Sequence, residues 1–177
     1  MPKPCDHTSV GIIIRNPAGH IAVIKRKNFP VAYALPAGHC DGDDPIQAAK
    51  REAREEVNVG IEDERLVLTE EFGNPCRRER GTHHAWWVFE PKECDIGAAE
   101  PGSDAKELIW LPESDIASLA NRTWLIAKKY GFRGFSSHAA LVDLLTADPE
   151  WKAYLGLELV WCIILTRIKM VRVASSG

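Results

Sequence analysis

The chain has 177 residues, of which 45% are apolar and 27% charged, with a formal net charge of −3 and a pI near 6.1. This supports one soluble domain with a real core and excludes a charged disordered tail, a collagen-like repeat and a disulfide-stapled miniprotein. No global positive field is present to recruit nucleic acid or an anionic membrane surface.

The five cysteines, at positions 5, 40, 76, 94 and 162, form no C-x2-C pair, so a reduced, cytoplasmic setting is expected. The first residues lack the apolar core of a signal peptide. The most apolar run, residues 155–165, contains Glu158 and is shorter than the roughly 20 residues of a membrane-spanning helix.

In chain order, residues 8–15 alternate as a strand, Asn16 to Gly19 carry turn chemistry, and residues 20–27 read as a second strand, so a hairpin is expected. A short apolar approach at residues 33–36 leads into a Gly- and Asp-rich loop and then a helix over residues 45–57. Strands are expected at 66–72, 83–90 and 107–111, with a charged loop at 74–81 between the first two. Helices follow at 116–119, 121–130 and 136–146, and residues 157–171 are read as helix. The architecture expected is α/β, with a core over residues 1–120 and a helical C-terminal extension, 121–177, packing on the same domain. Residues 155–165 either pack within their own chain or build a homodimer interface.

The helix at 45–57 is bounded by mechanism. Asp44 is a good N-cap, Pro45 suits the first helical position, Gln47 completes a capping-box pattern, and Asn58 suits a left-handed C-cap. Projected at about 100° per residue, Ile46, Ala49, Ala53 and Val57 form a stripe expected to be buried. Glu52, Glu55 and Glu56 crowd the adjoining stripe, where like charges at i,i+3 and i,i+4 repel. Two readings stand: a solvated acidic face beside Lys50, Arg51 and Arg54, or hard oxygen ligands for Mg²⁺, with Mn²⁺ as an alternative.

The preceding loop favours the cation. From Pro36 to Val59 the chain resembles the Nudix box, G-x5-E-x7-R-E-U-x-E-E-x-G-U with U aliphatic, through Gly38, Arg51, Glu52, Ala53, Glu55, Glu56 and Val59. The first interval is one residue short and ends on Asp43, and Asn58 replaces the late glycine. The resemblance implies a Nudix-type α/β/α sandwich with a mixed sheet. It also implies a divalent-metal-dependent hydrolase cleaving the pyrophosphate linkage of a nucleotide, or of a nucleoside diphosphate linked to another moiety. Carried over by position, Gly38, Glu52, Glu55 and Glu56 are the metal ligands, Glu52 being ligand or general base, while Asp43 and Arg51 organise the loop and helix. A base outside the box is sought among Glu107, Asp104 and Glu100, with Glu107 preferred. Arg77, Arg78 and Arg80 are candidate phosphate contacts, and Trp87 a candidate base-stacking residue. A nucleotide-binding sensor that does not turn its ligand over is the alternative.

Cys5, His7, His39 and Cys40 invite a zinc reading, but neither C-x2-C nor H-x3-H spacing accompanies them, and no zinc is expected.

Overall fold

The computed structural model describes residues 3–132 and 139–172. Strand β1 (Thr8–Ile12) pairs antiparallel with the short β4 (Ala37–Gly38) and parallel with β6 (His84–Asp95). Strand β5 (Gly60–Phe72) adds antiparallel to β6, completing a four-stranded mixed sheet in the order β4-β1-β6-β5. A second sheet of three antiparallel strands has the order β3 (Tyr33–Ala34), β2 (Ile21–Arg26), β7 (Ala105–Leu111). The α/β class and the mixed sheet are as expected.

The hairpin is not formed as expected. The chain does reverse at Asn16, whose Oδ1 accepts from the N–H groups of Ala18 and His20 at 3.0 Å. Beyond that turn, β1 and β2 part into different sheets, the pairing stopping after the Asn16 N–H to His20 carbonyl bond, the Arg15–Ile21 bridge and the Ala22 N–H to Ile14 carbonyl bond of 2.9 Å. The reason is burial. Ile12, Ile13 and Ile14 are all fully buried, so this strand lies inside the protein rather than turning one face to water.

Helix α1 (Pro45–Val57) begins where Asp44 accepts the Ile46 N–H at 3.0 Å and ends on Asn58, which sits at φ 52° in the left-handed region. It packs against β1, β4 and β5. Its buried side is Ala48, Ala49, Glu52, Ala53 and Val57. Ile46 is exposed, contrary to expectation, because the buried face is rotated toward Glu52, a member of the acidic stripe. Such small residues let the helix approach the sheet closely.

Two predicted helices merge into α2 (Glu113–Lys129), because Ile116, Ala120, Thr123, Trp124 and Ala127 continue one apolar stripe through the polar pair at 121–122. Helix α3 (Ala139–Ala147) covers the described part of the helix predicted at 136–146; residues 136–138 lie outside the described residues. Helix α4 (Pro149–Ala153), capped by Asp148, was not foreseen. Helix α5 (Leu159–Arg167) forms within the predicted segment, and Leu159 to Leu165 are all buried in their own chain. Among the described residues, no helix is long and apolar enough to cross a membrane.

Two contacts bring the C-terminal segment to the sheets. The Tyr33 N–H donates to the Gly156 carbonyl at 3.0 Å and the Glu158 N–H to the Tyr33 carbonyl at 2.7 Å, so this segment extends β3. From α5, the fully buried Trp161 meets Trp86 edge to face, with centroids 5.8 Å apart, and its indole lies over Gly11. A Cβ at Gly11 would fall 2.6 Å from the Trp161 ring. Gly11→Ala is therefore expected to destabilise the fold by about 1–3 kcal/mol through overpacking. Urea unfolding followed by tryptophan fluorescence measures it; an unchanged midpoint would remove this account of Gly11.

Candidate functional site

The site grows from one close approach. Gly38, in β4, lies against the Glu52 carboxylate of α1, and a Cβ at Gly38 would fall 2.0 Å from the Glu52 carboxyl carbon. Glycine leaves the space there that lets the Glu52 carboxylate sit where it does; a larger residue would displace it. Arg51 stands beside this contact. Its Nε donates to Asp43 Oδ2 at 3.1 Å and its terminal nitrogens to Glu52 Oε1 at 2.5 Å and to the carbonyls of His39 and Cys40 at 2.8 and 3.2 Å. The same guanidinium reaches Glu55 Oε2 at 3.5 Å. One cation thus ties the loop, through Asp43 and two carbonyls, to Glu52 and Glu55 on the helix.

Gly38, Glu52, Glu55 and Glu56 share one wall of a cavity of about 470 Å³. Glu52 is buried, and the loss of hydration pushes its carboxyl above the usual range despite the Arg51 guanidinium. Burial, reinforced by the Glu52 charge, pushes Glu56 up to about 7. Among the described residues, no cationic side chain lies within ion-pair distance of Glu56. The helix therefore carries acidic groups into the cavity without enough positive charge to balance them. All the donors are hard oxygens, the kind that small divalent cations take, and Gly38 leaves the space that Glu52 fills.

The rest of the lining near Glu56 was only partly legible. Arg26, on β2, donates through one nitrogen to both Glu158 oxygens, at 3.0 and 3.1 Å, and both residues line the cavity. The sequence reading did not select either. The signal available was Glu158 itself, a single acid within the most apolar stretch of the chain. Asp104 lines the cavity, accepting from Asn28 Nδ2 at 3.1 Å.

The loop of residues 73–83 brings Arg77 and Arg78 to the cavity. Arg77 is half exposed and sits 3.5 Å from Asp104. Arg78 forms a two-pronged pair with Asp41 and holds that carboxyl well below the usual carboxylate range. Arg80 is outside the cavity, 85% exposed, at φ 62°. Glu107 also lies outside, 3.6 Å from Lys25, and Glu100 is 3.4 Å from Asn58 Nδ2 at the end of α1. On β6, the buried face is His84, Trp86 and Val88; Trp86 lines the cavity, and Trp87, on the alternate face, does not.

A second cluster lies on the same wall as Arg78. Cys5 and His39 meet Cys76 and the buried His84, whereas His7 stacks on His83 and Cys40 is buried apart from them. Burial lowers the His84 pKa to about 4, leaving the ring neutral. The four cluster members come from three separate stretches of the chain, around residues 5, 39 and 76–84, and no spacing rule groups them.

The NUDIX domain profile matches residues 6–130. Comparison with curated protein sequences returns no match. Among solved structures, the fold is similar to a MutT NUDIX hydrolase from Burkholderia pseudomallei, with 21% identity, 80% of this chain and 98% of that one covered, and a TM-score of 0.53. It is also similar to a MutT protein from Methanosarcina mazei Go1, with 18% identity, 67% and 84% covered, and a TM-score of 0.53. The ORF135 protein of E. coli gives 18% identity, 63% and 76% covered, and a TM-score of 0.50. At these identities the structures speak to the fold. With the profile spanning most of the chain and the acidic helix, glycine and arginine placed together, the chain belongs to the NUDIX domain family.

Proposed function

We propose that this chain is a divalent-metal-dependent hydrolase that cleaves the pyrophosphate linkage of a nucleotide, or of a nucleoside diphosphate linked to another moiety. The observation that carries the reading is the excess of carboxylate at the buried Glu52, the half-buried Glu56 and the exposed Glu55, all lining one cavity. Glu52, Glu55, Glu56 and the carbonyl of Gly38 would hold Mg²⁺ or Mn²⁺. Such an ion neutralises phosphate charge and lowers the pKa of bound water.

The protein's own residues supply the rest. Arg51 fixes the Glu52 carboxylate and the loop carbonyls, so the ligand oxygens are set before substrate arrives. Glu52, with a raised pKa, serves as a ligand or as the base that takes a proton from water. Arg77 and Arg78 line the same cavity and present guanidinium groups to phosphate oxygens, Arg77 being the more exposed. Arg26, beside Glu56 but paired with Glu158, keeps that acid from repelling an anionic ligand. The Trp86 ring and Asn74 complete the wall, Trp86 Nε1 donating to Asn74 Oδ1 at 3.0 Å.

Phosphate release from a nucleotide panel, with Mg²⁺ and separately Mn²⁺, tests the activity. Turnover of at least one phosphoanhydride is expected, falling by about 100-fold or more in Glu56→Gln. No turnover of any compound, with tight binding of one, would transfer the chain to the nucleotide-sensor reading.

Gly38→Ala is expected to leave the circular dichroism spectrum unchanged while cutting activity by about 10–100-fold, because Glu52 must move away from the new methyl group. Wild-type turnover in that variant would show that the Gly38–Glu52 contact does not set the site.

The raised Glu56 pKa has a measurable cost. The folded chain keeps the proton until about pH 7, whereas an unfolded glutamate loses it near 4.5. Stability without added divalent ions therefore falls as pH rises between those values, then levels off. Glu56→Gln removes the effect. It is expected to be more stable than the parent above about pH 7, on the order of 1–3 kcal/mol, and to match it under acid conditions. Adding Mg²⁺ narrows the gap. Thermal unfolding across pH measures this, and a variant less stable than the parent at high pH would contradict it.

A further inference from the structure

We propose that Cys5, His39, Cys76 and His84 form a closed tetrahedral Cys2His2 zinc site, separate from the carboxylates of the cavity. The proposal is independent of the hydrolase reading.

The donor atoms of these four residues lie within 4.8 Å of one another. Zn–S bonds of about 2.3 Å and Zn–N bonds of about 2.0–2.1 Å define a tetrahedron with an S–S edge near 3.8 Å, S–N edges near 3.5 Å and an N–N edge near 3.3 Å. The structure has Cys5 Sγ to Cys76 Sγ at 3.7 Å, Cys5 Sγ to the Nε2 atoms of His39 and His84 at 3.6 and 3.1 Å, and the two Nε2 atoms 3.2 Å apart. The sulfurs are much farther apart than the roughly 2.05 Å of a disulfide, and a disulfide would leave the two imidazoles facing each other unexplained.

The surroundings fix the orientation of the donors. His84 Nδ1 lies 3.1 Å from both the carbonyl and the Oδ1 of Asn74. That side-chain atom also accepts from Trp86 Nε1, so it is the amide oxygen and not the nitrogen. Both neighbours of Nδ1 are therefore acceptors, Nδ1 carries the ring proton, and the Nε2 lone pair points into the cluster. The Asn74–His84 arrangement is the outer contact that a ligating histidine needs. Backbone N–H groups of His7 and Arg78 donate to Cys5 Sγ at 3.3 Å and Cys76 Sγ at 3.4 Å, which orients the two sulfurs.

The chain is shaped to bring the sulfurs in. The Cys5 N–H donates to the Glu79 carbonyl at 3.0 Å, and the Cys76 N–H to the Gly81 carbonyl at 2.9 Å. Gly81 has no room for a side chain, since a Cβ there would fall 2.1 Å from Cys76 Sγ. Two thiolates and two imidazoles select zinc, whereas the carboxylates of α1 select harder ions. Four protein ligands leave no open position, so the site is structural. It would fasten the N-terminal segment, the box loop, the arginine loop and the start of β6 at one point, holding Arg77 and Arg78 beside the cavity.

Elemental analysis of the full chain, purified under reductant without a polyhistidine tag, is expected to find about one zinc per chain. Cys76→Ser should lose that zinc, and Cys94→Ser should keep it. Replacing zinc by Co²⁺ in the unmutated chain should give the intense visible bands of a tetrahedral ion together with thiolate-to-cobalt charge transfer, so the test does not depend on a variant that folds. A folded, zinc-free chain whose Co²⁺ spectrum remains that of the hydrated ion would overturn the proposal. So would zinc retained undiminished by both Cys5→Ser and Cys76→Ser, or a Cys5–Cys76 disulfide in the reductant-purified protein.

Discussion

The constraint on which the rest of this structure depends is the seating of the Glu52 carboxylate against the bare Cα of Gly38. A carboxylate leaves water only where something else takes over its solvation, and here Arg51 does so on one side. The same guanidinium holds the carbonyls of His39 and Cys40, so the loop cannot shift without releasing the acid. Helix, loop and charge are one mechanical unit. Shortening the loop by one residue relative to the family pattern leaves this unit intact, because Asp43 still reaches Arg51 and Asp44 still caps the helix.

Around that unit the fold arranges charge in opposition. Glu56 faces a region where Arg26 is already engaged by Glu158 and Asp104 adds further negative charge. The cavity is thus acidic on the helix side and guarded by arginines at the loop of residues 73–83. Such an arrangement suits a ligand that brings both anionic oxygens and a cation between them.

Much of this was readable in the sequence, for physical reasons. Local chemistry was legible: Asp44 and Asn58 delimit α1 because caps act within a few residues. The glutamate spacing put three acids on one side of the helix because helical geometry is fixed. Non-local facts were not legible. The period of residues 8–15 shows a strand but not that its neighbours are β4 and β6 rather than β2. Glu107 has the right type for a base, yet its strand position turns it to Lys25. Ile46 has the right period for the core, yet the buried glutamate rotates the helix away from it. The Cys5, His39, Cys76 and His84 cluster joins the N-terminal segment, the loop before α1 and the stretch from 76 to 84, and only the folded chain places them together.

One feature of the C-terminal segment carries further than the packing that secures it. The profile match ends at residue 130, but Glu158 stands on the cavity wall, fixed there by the Tyr33 backbone. The contour of the cleft is therefore governed from two separate stretches of chain. A change at Glu158 alone would release Arg26 and alter the charge on that part of the lining, while the helix that bears the acids keeps its seat.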